Sequence, residues 1–363
     1  MNPLALGSKA WENAGAGVPP AGEETKSPKL PTDDLVPKIT AMRNNELSVR
    51  IAKVLMKRFE SIPVSPEEKV GRLGEVFRHP KFLSASEPER DRIMRASSTF
   101  FYEDELAYPW DNYFGKELRP MLRGANVLDV GCFTGGRDAA WFQRYELGSL
   151  TGLEIRPVCV DAATRFAASK GIRAEYLVGL AESMPFEAGR FDAILTFETF
   201  EHVQDLAKVL SECHRVLKPG GKMFMVFPSY FHPTSHHLGL VTSCPAIQWF
   251  FSGRTLVKAY YDILQERGKE ADWYNRHSRG LEPWERCNTI NGTTVNRFAR
   301  LVEADGWQIV MQSKKPIGSV GRGISKNKGA RLLSKLFVPL TSVPILKEVF
   351  VHRITYILEK KRT

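Results

Sequence analysis

The segment LDVGCFTGG, at residues 128–136, constrains the fold more than any other part of this 363-residue chain. A short apolar run ends near Asp129 and leads through Gly131 and Gly135 into a helical pattern. Glycines let a backbone approach a ligand closely, and the N–H groups at a helix start face that ligand. The segment therefore predicts a buried strand, a ligand-binding turn and a helix. Many unrelated α/β proteins share such a turn, so the neighbouring motifs have to identify the ligand.

Short apolar runs alternate with helical patterns beyond Arg123, which is typical of a parallel sheet with crossover helices. The runs that we expect to form strands are residues 126–131, 150–155, 174–180, 191–197, 222–228 and 307–313. The expected helices include residues 136–146, 157–171, 205–221 and 293–306, the third of them closed by Pro-Gly-Gly. Residues 349–361 fit either a strand or an amphipathic helix. The chain is therefore predicted to have an α/β fold.

Composition and periodicity divide the chain into five predicted parts. These are a disordered N-terminal tail at residues 1–32, a helical N-terminal extension at 33–115, a ligand-binding core at 116–228, a substrate cap insertion at 229–292, and a completion of the core at 293–363 that contains a basic insert at 314–348. Within the extension, shorter helical patches are expected at residues 66–77 and 87–97, followed by an aromatic-rich connection at 100–115. The cap insertion shows no periodicity.

The net charge of +10 is concentrated near the C-terminal end. Residues 314–363 contain twelve Lys or Arg residues and two acidic ones. Such a block is either a solvated tail or a contact for phosphate, an anionic membrane surface or nucleic acid. We expect peripheral contact with an anionic membrane through residues 314–335.

The five cysteines form no CxxC pair and no zinc-like spacing, which favours a reducing compartment and predicts no metal site. The N-terminus lacks the basic head and apolar run of a signal peptide, and no apolar stretch reaches the roughly 20 residues that span a bilayer. We therefore expect a soluble, cytoplasmic protein that meets the inner face of the membrane only peripherally. The sequence predicts no oligomeric state.

Further motifs follow the glycine-rich turn in a fixed order. Glu154 ends the second apolar run, 25 residues after Asp129, and is followed by GLAESMPF at 179–186, FDAILTFETFEHV at 191–203 and HRVLKPGGKMFMVF at 214–227. This set resembles the class I S-adenosylmethionine-dependent methyltransferases, in the small-molecule branch that includes ubiquinone- and sugar-modifying members. The resemblance implies an enzyme with a Rossmann-like sheet of seven strands, mostly parallel, with an antiparallel last strand. We therefore expect residues 349–361 to form that strand.

The resemblance also implies a set of residues that bind S-adenosyl-L-methionine. Those for its methionine portion are Asp129, Gly131 and Gly135. Those for its ribose and adenine are Glu154, Ile155, the Ala181 backbone and Glu182. Thr196 and Phe197 are expected near the sulfonium. Two positions depart from the family pattern, because Phe133 replaces the middle glycine of the turn and Leu180 replaces an aspartate that commonly contacts the adenine amine.

Methyl transfer to a hydroxyl needs a group that removes the hydroxyl proton, because neutral hydroxyls are poor nucleophiles. His202, which follows the fourth expected strand, is one candidate for this base. The pair His236 and His237 in the cap is a second candidate, with His237 preferred. Glu198 and Glu201 are further candidates, either as the base itself or as groups that orient a histidine. The sequence does not choose among these residues.

The sequence after the fourth expected strand lacks a motif, and this narrows the possible classes of methyl acceptor. The sequence there reads FETFEH, without the (Asp/Asn)-Pro-Pro-aromatic motif that usually accompanies methylation of nucleic-acid bases, so nucleic acid is disfavoured. An aromatic-rich cap suits sugar rings or hydrophobic tails. We expect a sugar hydroxyl of a cell-surface glycan or glycolipid as the acceptor. The alternatives are a quinone, polyketide or lipid, or RNA or protein recruited through the basic C-terminal region.

Overall fold

The structure is a computed structural model of the chain. It describes residues 46–60, 82, 84–233, 235–238, 241–266, 291–316 and 328–362. The tail expected to be disordered, the helical patch expected at 66–77 and part of the basic insert lie outside the described residues. So do the cap residues 267–290.

Seven strands form one sheet in the order β3-β2-β1-β4-β5-β7-β6. They are β1 Asn126–Val130, β2 Ser149–Glu154, β3 Ala174–Val178, β4 Phe191–Phe197, β5 Leu217–Pro228, β6 Gln308–Pro316 and β7 Val351–Glu359. Strands β1 to β5 pair in parallel, and β7 runs antiparallel to both β5 and β6. The predicted seven-stranded, mostly parallel sheet with an antiparallel last strand is confirmed.

Helices cover both faces of the sheet and the carboxyl edge, which is the side of the sheet where the parallel strands end. They are α1 Glu46–Arg58, α2 Glu87–Ala107, α3 Asp111–Phe114, α4 Leu118–Leu122, α5 Gly136–Tyr145, α6 Pro157–Ser169, α7 Leu206–Val216, α8 Gly253–Glu266, α9 Val295–Ala304, α10 Lys328–Phe337 and α11 Leu346–Phe350. Three expectations about helices were wrong. Helix α2 runs to Ala107, beyond the helical patch expected at 87–97 and through the first half of the aromatic-rich segment at 100–115. The cap contains the regular helix α8, and α7 ends at Val216, so that the Pro-Gly-Gly segment belongs to β5.

The core is split by the sheet into two layers. Successive residues of a strand point to opposite faces, so Leu128 and Val130 face one layer while Val127 faces the other. The first layer packs the sheet against α7 and α9, and the second packs it against α3, α4 and α5. Because both of their faces are buried, the central strands β1 and β4 consist of largely continuous apolar runs, whereas the edge strands β3 and β6 stay partly exposed. This explains why the sequence pattern located them correctly.

Helix α1 and the described part of the cap share a third apolar cluster. Val49, Ala52 and Met56 of α1 pack against Leu256 and other residues of α8 and its preceding loop. The Phe59 carbonyl just after α1 accepts a hydrogen bond from the Ser243 N–H at 2.8 Å. Helix α1 and the described part of the cap therefore pack together. None of the described helices is long and apolar enough to cross a membrane.

Candidate cofactor and acceptor site

The glycine-rich turn joins β1 to α5 at the carboxyl edge of the sheet. Gly131 and Gly135 have φ values of +88° and +67°, in the left-handed region that favours glycine. A Cβ added to Gly131 would lie 2.2 Å from Thr199 Oγ1, so this residue is also fixed by the loop after β4. Helix α2 covers the turn from the other side, because Ser98 Oγ donates a hydrogen bond to the Thr134 carbonyl at 2.8 Å.

Phe133 occupies the middle of this turn with φ +49°. A non-glycine residue in the left-handed region costs about 1–2 kcal/mol. Its ring packs edge-on against Phe101 of α2, with the ring centroids 5.5 Å apart, and the Arg156 guanidinium lies 6.0 Å from its centroid. The contact with α2 therefore offsets the backbone strain.

Glu154 connects the tip of β2 to the glycine-rich turn. Its side chain is buried, and its two carboxylate oxygens accept hydrogen bonds from the Phe133 N–H at 3.2 Å and the Arg156 N–H at 3.1 Å. An ionised carboxylate has about four acceptor positions, so two backbone donors leave capacity for a ligand. Glu154 thus faces the turn with acceptor positions still to fill.

A pair of buried carboxyl groups lies beneath the turn. Asp129, at the end of β1, and Asp138, in the first turn of α5, are both shielded from solvent. Burial raises the pKa of Asp129, and the nearby Asp138 raises it further. Burial also raises the pKa of Asp138, to about 6. Asp129 Oδ1 has no hydrogen-bond partner among the described residues, so this acceptor is still available to a donor from a ligand.

Exposed apolar side chains flank Glu154 at the tips of β2 and β3. Ile155 and Leu180 keep 54% and 51% of their surface exposed, although both residues are aliphatic. Ala181 is partly buried against the core. The Glu182 carboxylate accepts hydrogen bonds from the backbone N–H groups of Gln204 at 2.8 Å and Asp205 at 3.4 Å. The Glu182 side chain is thus engaged with the loop before α7.

The end of β4 leads to the acceptor side of the site. Thr196 is buried, and its Oγ1 has no hydrogen-bond partner within the described part of the chain. The Phe197 ring lies 5.9 Å from the Trp110 ring, and the Arg137 guanidinium lies 4.4 Å from its centroid. Arg137 also lies 4.5 Å from the Phe101 ring, so its cation is held between two aromatic faces.

Glu198 follows β4 with φ +52° and forms an ion pair with Arg353 of β7. Burial opposes ionisation of Glu198, but the positive charges of Arg353, Arg137 and His237 outweigh it and lower the pKa of the carboxyl. Glu198 is therefore ionised near neutral pH. Sequence reasoning missed both arginines, because neither belongs to a motif.

The two preferred candidate bases, His202 and His237, lie together. Their ring centroids are 5.1 Å apart, although His237 comes from the cap and His202 from the loop after β4. His202 Nε2 lies 3.5 Å from Glu201 Oε1. Glu201 is buried, and both burial and the neighbouring Glu198 raise the pKa of its carboxyl.

His236 has a different environment from His237. It is buried, its Nδ1 accepts a hydrogen bond from the Leu238 N–H at 3.0 Å, and burial lowers its pKa to about 4. His236 therefore shapes the cap loop, whereas His237 faces His202. A second pair was not anticipated from the sequence: His232 of the cap stacks on His352 of β7 at 4.3 Å. Burial is the main cause that lowers the pKa of His232 to about 4.

A small recess opens beside these histidines. It lies between the end of β5, the cap and the start of the segment that leads into α9, and it is lined by Glu201, Pro228, Tyr230, Ser235, Gly292 and Thr293. Two aromatic residues of the cap, Phe251 and Tyr260, are buried in the cluster that the cap shares with α1. Trp273, Tyr274 and Trp284 lie outside the described residues.

Comparisons with known proteins identify the family. A family profile described as a methyltransferase domain matches residues 128–225. The norajmaline N-methyltransferase of Rauvolfia serpentina is 34% identical over 207 residues, which cover 53% of this chain and 68% of that protein. The chain belongs to the S-adenosylmethionine-dependent methyltransferase family. S-adenosylmethionine is therefore its cofactor.

Other methyltransferases also match the chain. The ubiquinone biosynthesis O-methyltransferase of Pseudomonas paraeruginosa is 38% identical over 108 residues, which cover 30% of this chain. The chain spans about half the length of that curated relative, 46%. Among solved structures, an S-adenosylmethionine-dependent methyltransferase from Mesorhizobium loti is 15% identical with a TM-score of 0.44, covering 68% of this chain and 96% of that one.

The methyltransferase cofactor fits the residues present at the glycine-rich turn. Glu154 retains acceptor positions for ribose hydroxyls, and the unsatisfied Asp129 Oδ1 suits the donor groups of a methionine end. The exposed aliphatic side chains of Ile155 and Leu180 offer apolar surface for an adenine ring. Leu180 would offer apolar surface at a position where the family commonly has an aspartate.

Proposed function

We propose that the protein transfers the methyl group of S-adenosylmethionine to a hydroxyl oxygen of a small acceptor, and that this hydroxyl belongs to the sugar of a glycan or glycolipid. The observation that carries the proposal is the proximity of His202 to both His237 and Glu201. A hydroxyl acceptor requires a base, and a histidine near the recess can accept its proton.

The glycine-rich turn, Asp129 and Glu154 would hold the cofactor. S-adenosylmethionine supplies an already activated methyl group, so the chain mainly has to align the acceptor, exclude water and accept a proton. Residues at the carboxyl edge of the sheet can perform each of these three tasks. The cap and α2 cover the site, and the histidine pair accepts the proton.

The charges around the histidine pair favour its role as the base. Glu198 is ionised and interacts electrostatically with His237, so a proton accepted on that ring would lie next to a negative charge. Arg353 and Arg137 hold Glu198 in this ionised form. Glu201 orients the other ring through His202 Nε2. We therefore assign proton removal to the pair, with Glu198 and Glu201 as positioning residues.

The relatives support an acceptor of small size, since the two named above act in ubiquinone biosynthesis and on norajmaline by their names. The recess has room for about one water-sized group, and the polar groups of Tyr230, Ser235 and Thr293 that line it suit a single hydroxyl of an acceptor. A sugar hydroxyl satisfies both features. A quinol, polyketide or other lipid hydroxyl is the alternative that the same base would serve.

Calorimetry with S-adenosylmethionine tests the cofactor part of the proposal. Glu154→Gln removes a charged acceptor, and charge-assisted hydrogen bonds contribute about 1.5–3 kcal/mol, so we expect affinity to fall about 10- to 100-fold. Glu187→Gln is the matched control, because Glu187 is exposed and away from the turn. A folded wild-type protein that does not bind the cofactor would refute the proposed function.

The acceptor part is tested by mass spectrometry of reaction products. Wild-type protein with labelled cofactor is incubated with glycolipids, free glycans, prenylated quinols and RNA in parallel. We expect a mass gain of one methyl on a sugar of the glycan or glycolipid samples. Methylation of the quinol alone, or of RNA alone at a ribose 2′-hydroxyl, would contradict the glycan assignment while leaving methyl transfer to a hydroxyl intact. Methylation of an RNA base alone would contradict both.

A further inference from the structure

A cluster of exposed aliphatic side chains lies between β6 and β7. Six of the large apolar residues with more than a third of their surface exposed fall within residues 332–346, and we call them the docking patch. They are Leu332, Leu336, Val338, Val343, Ile345 and Leu346. Their exposed fractions reach 68% and 69% for Leu332 and Leu336. A concentration of exposed apolar side chains in one short folded segment is typical of an interaction site.

The segment that carries the docking patch is firmly attached to the rest of the protein. The Phe337 and Phe350 rings stack with their centroids 5.3 Å apart, and Ser334 on the inner side of α10 is buried. The buried Glu348 carboxylate accepts hydrogen bonds from the Val295 and Asn296 N–H groups at the start of α9, both at 2.8 Å. The patch is therefore the outer face of a folded segment.

Helix geometry directs the two most exposed leucines the same way. Leu332 and Leu336 are four residues apart in α10, so they lie on one face of the helix. An amphipathic helix with an exposed apolar face and basic residues at its border is typical of proteins that bind the bilayer interface.

The basic residues in the segment that carries the docking patch indicate the kind of partner that it binds. Residues 328–347 contain Lys328, Arg331, Lys335 and Lys347 and no acidic residue. Two copies of this chain meeting through their patches would bring like charges together, so the charge disfavours self-association. The exposed apolar side chains are aliphatic rather than aromatic, which disfavours a base-stacking nucleic-acid surface. Anionic lipid satisfies both the apolar and the cationic features.

The docking patch also lies next to the methyltransferase site. Strand β6 ends at Pro316, which pairs with Val351 at the start of β7. Two residues later Arg353 pairs with Pro228, at the end of β5, and its side chain holds Glu198. The patch therefore precedes a strand that begins at the carboxyl edge of the sheet, where the acceptor site lies.

We propose that the docking patch inserts into the surface of an anionic bilayer, with Leu332 and Leu336 among the lipid chains and Lys335 and Lys347 at the level of the headgroups. Docking itself is a property of this surface. Only its consequence, that the acceptor is lipid-linked, rests on the proposed function.

Sedimentation of the full chain with vesicles tests this proposal. We expect binding to phosphatidylglycerol vesicles and much weaker binding to phosphatidylcholine vesicles. The double variant L332Q/L336Q should lower the affinity for phosphatidylglycerol at least about tenfold, because two inserted aliphatic side chains are lost. The control L47Q/V54Q removes two residues of α1 with similar exposure, 62% and 67%, and should bind like the wild type.

A second variant keeps the test decisive if L332Q/L336Q does not fold, as judged by circular dichroism. K335Q/K347Q should lower the affinity about fivefold per cation removed. Vesicle binding does not require methyl transfer, so its failure is distinguishable from failure of the proposed function. The proposal is overturned if L332Q/L336Q folds and binds like the wild type, if both vesicle types bind equally, or if the protein is retained on RNA and on neither vesicle.

Discussion

The strained backbone at Phe133 yields a prediction with an unusual ranking of variants. Replacing Phe133 by alanine removes the ring contact with Phe101 but keeps a Cβ in the left-handed region. Replacing it by glycine removes the same ring and also relieves the strain. Glycine normally destabilises a folded segment relative to alanine, by about 0.5–1 kcal/mol, because its unfolded chain has more conformational freedom. Here we expect the opposite ranking.

The magnitude follows from two opposing terms. Relief of the left-handed strain contributes about 1–2 kcal/mol in favour of glycine, and the entropy of the unfolded chain takes back about 0.5–1 kcal/mol. Phe133→Gly should therefore be about 0.7 kcal/mol more stable than Phe133→Ala, with both less stable than the wild type. Equilibrium urea unfolding of the three proteins measures these differences. Equal stability of the two variants, or a more stable alanine variant, would show that the turn does not hold position 133 in the left-handed region.

Three further perturbations test α2 and the acceptor side of the site. Burial raises the pKa of Glu105 to about 8, so the folded state favours the protonated form of this carboxyl. The free energy of unfolding should therefore fall as the pH rises from about 4.5 through 8. Urea titrations at several pH values should show a flatter decline for Glu105→Gln. His237→Asn should lower kcat about 100-fold or more while calorimetry shows unchanged cofactor affinity, and an unchanged kcat would remove His237 from the proposed base. Arg353→Gln removes the ion pair that offsets the burial of Glu198, so the pKa of Glu198 should rise and the acid limb of the pH profile of kcat should move to higher pH. An unmoved acid limb would mean that ionisation of Glu198 does not matter for turnover.

The glycine-rich turn and the position of Glu154 beside it were predictable because their signals are local in the sequence. The glycine-rich turn is one continuous segment, and Glu154 closes the strand that pairs directly with β1. The acceptor end was only partly predictable. His202 and His237 were separate candidates, and only the folded cap shows that their rings meet.

Arg353 was not predictable by the same reasoning. It lies 155 residues from Glu198 in the sequence, and the two meet because β7 inserts between β5 and β6. The only available signal was topological: an antiparallel last strand has to begin at the edge where the parallel strands end.

Helix α2 shows how buried polar residues hide a periodic pattern. Its buried positions include Ser97, Ser98 and Glu105 beside Ile93 and Met94, so the apolar spacing that predicts a helix fades after the first half. The hydrogen bond from the Trp110 N–H to Glu105 Oε1, at 2.8 Å, shows that tertiary contacts satisfy one of these groups. A polar residue with such a partner is compatible with a buried face but is invisible to a hydrophobicity pattern.

The antiparallel direction of β7 links the docking patch to the acceptor site. If β7 ran parallel to β5, its first residues would lie at the opposite edge of the sheet, and a bilayer at the patch would face away from the cofactor turn. Because it runs antiparallel, Leu346 of the patch and Arg353 of the acceptor site are only seven residues apart and lie at the same edge. A lipid-linked hydroxyl held near a docked bilayer would therefore have a short path to the histidine pair, whereas a freely diffusing acceptor would gain nothing from the patch. Activity on a lipid-linked acceptor should thus fall in L332Q/L336Q while activity on its water-soluble head group stays the same, and an equal fall for both would separate the patch from acceptor delivery.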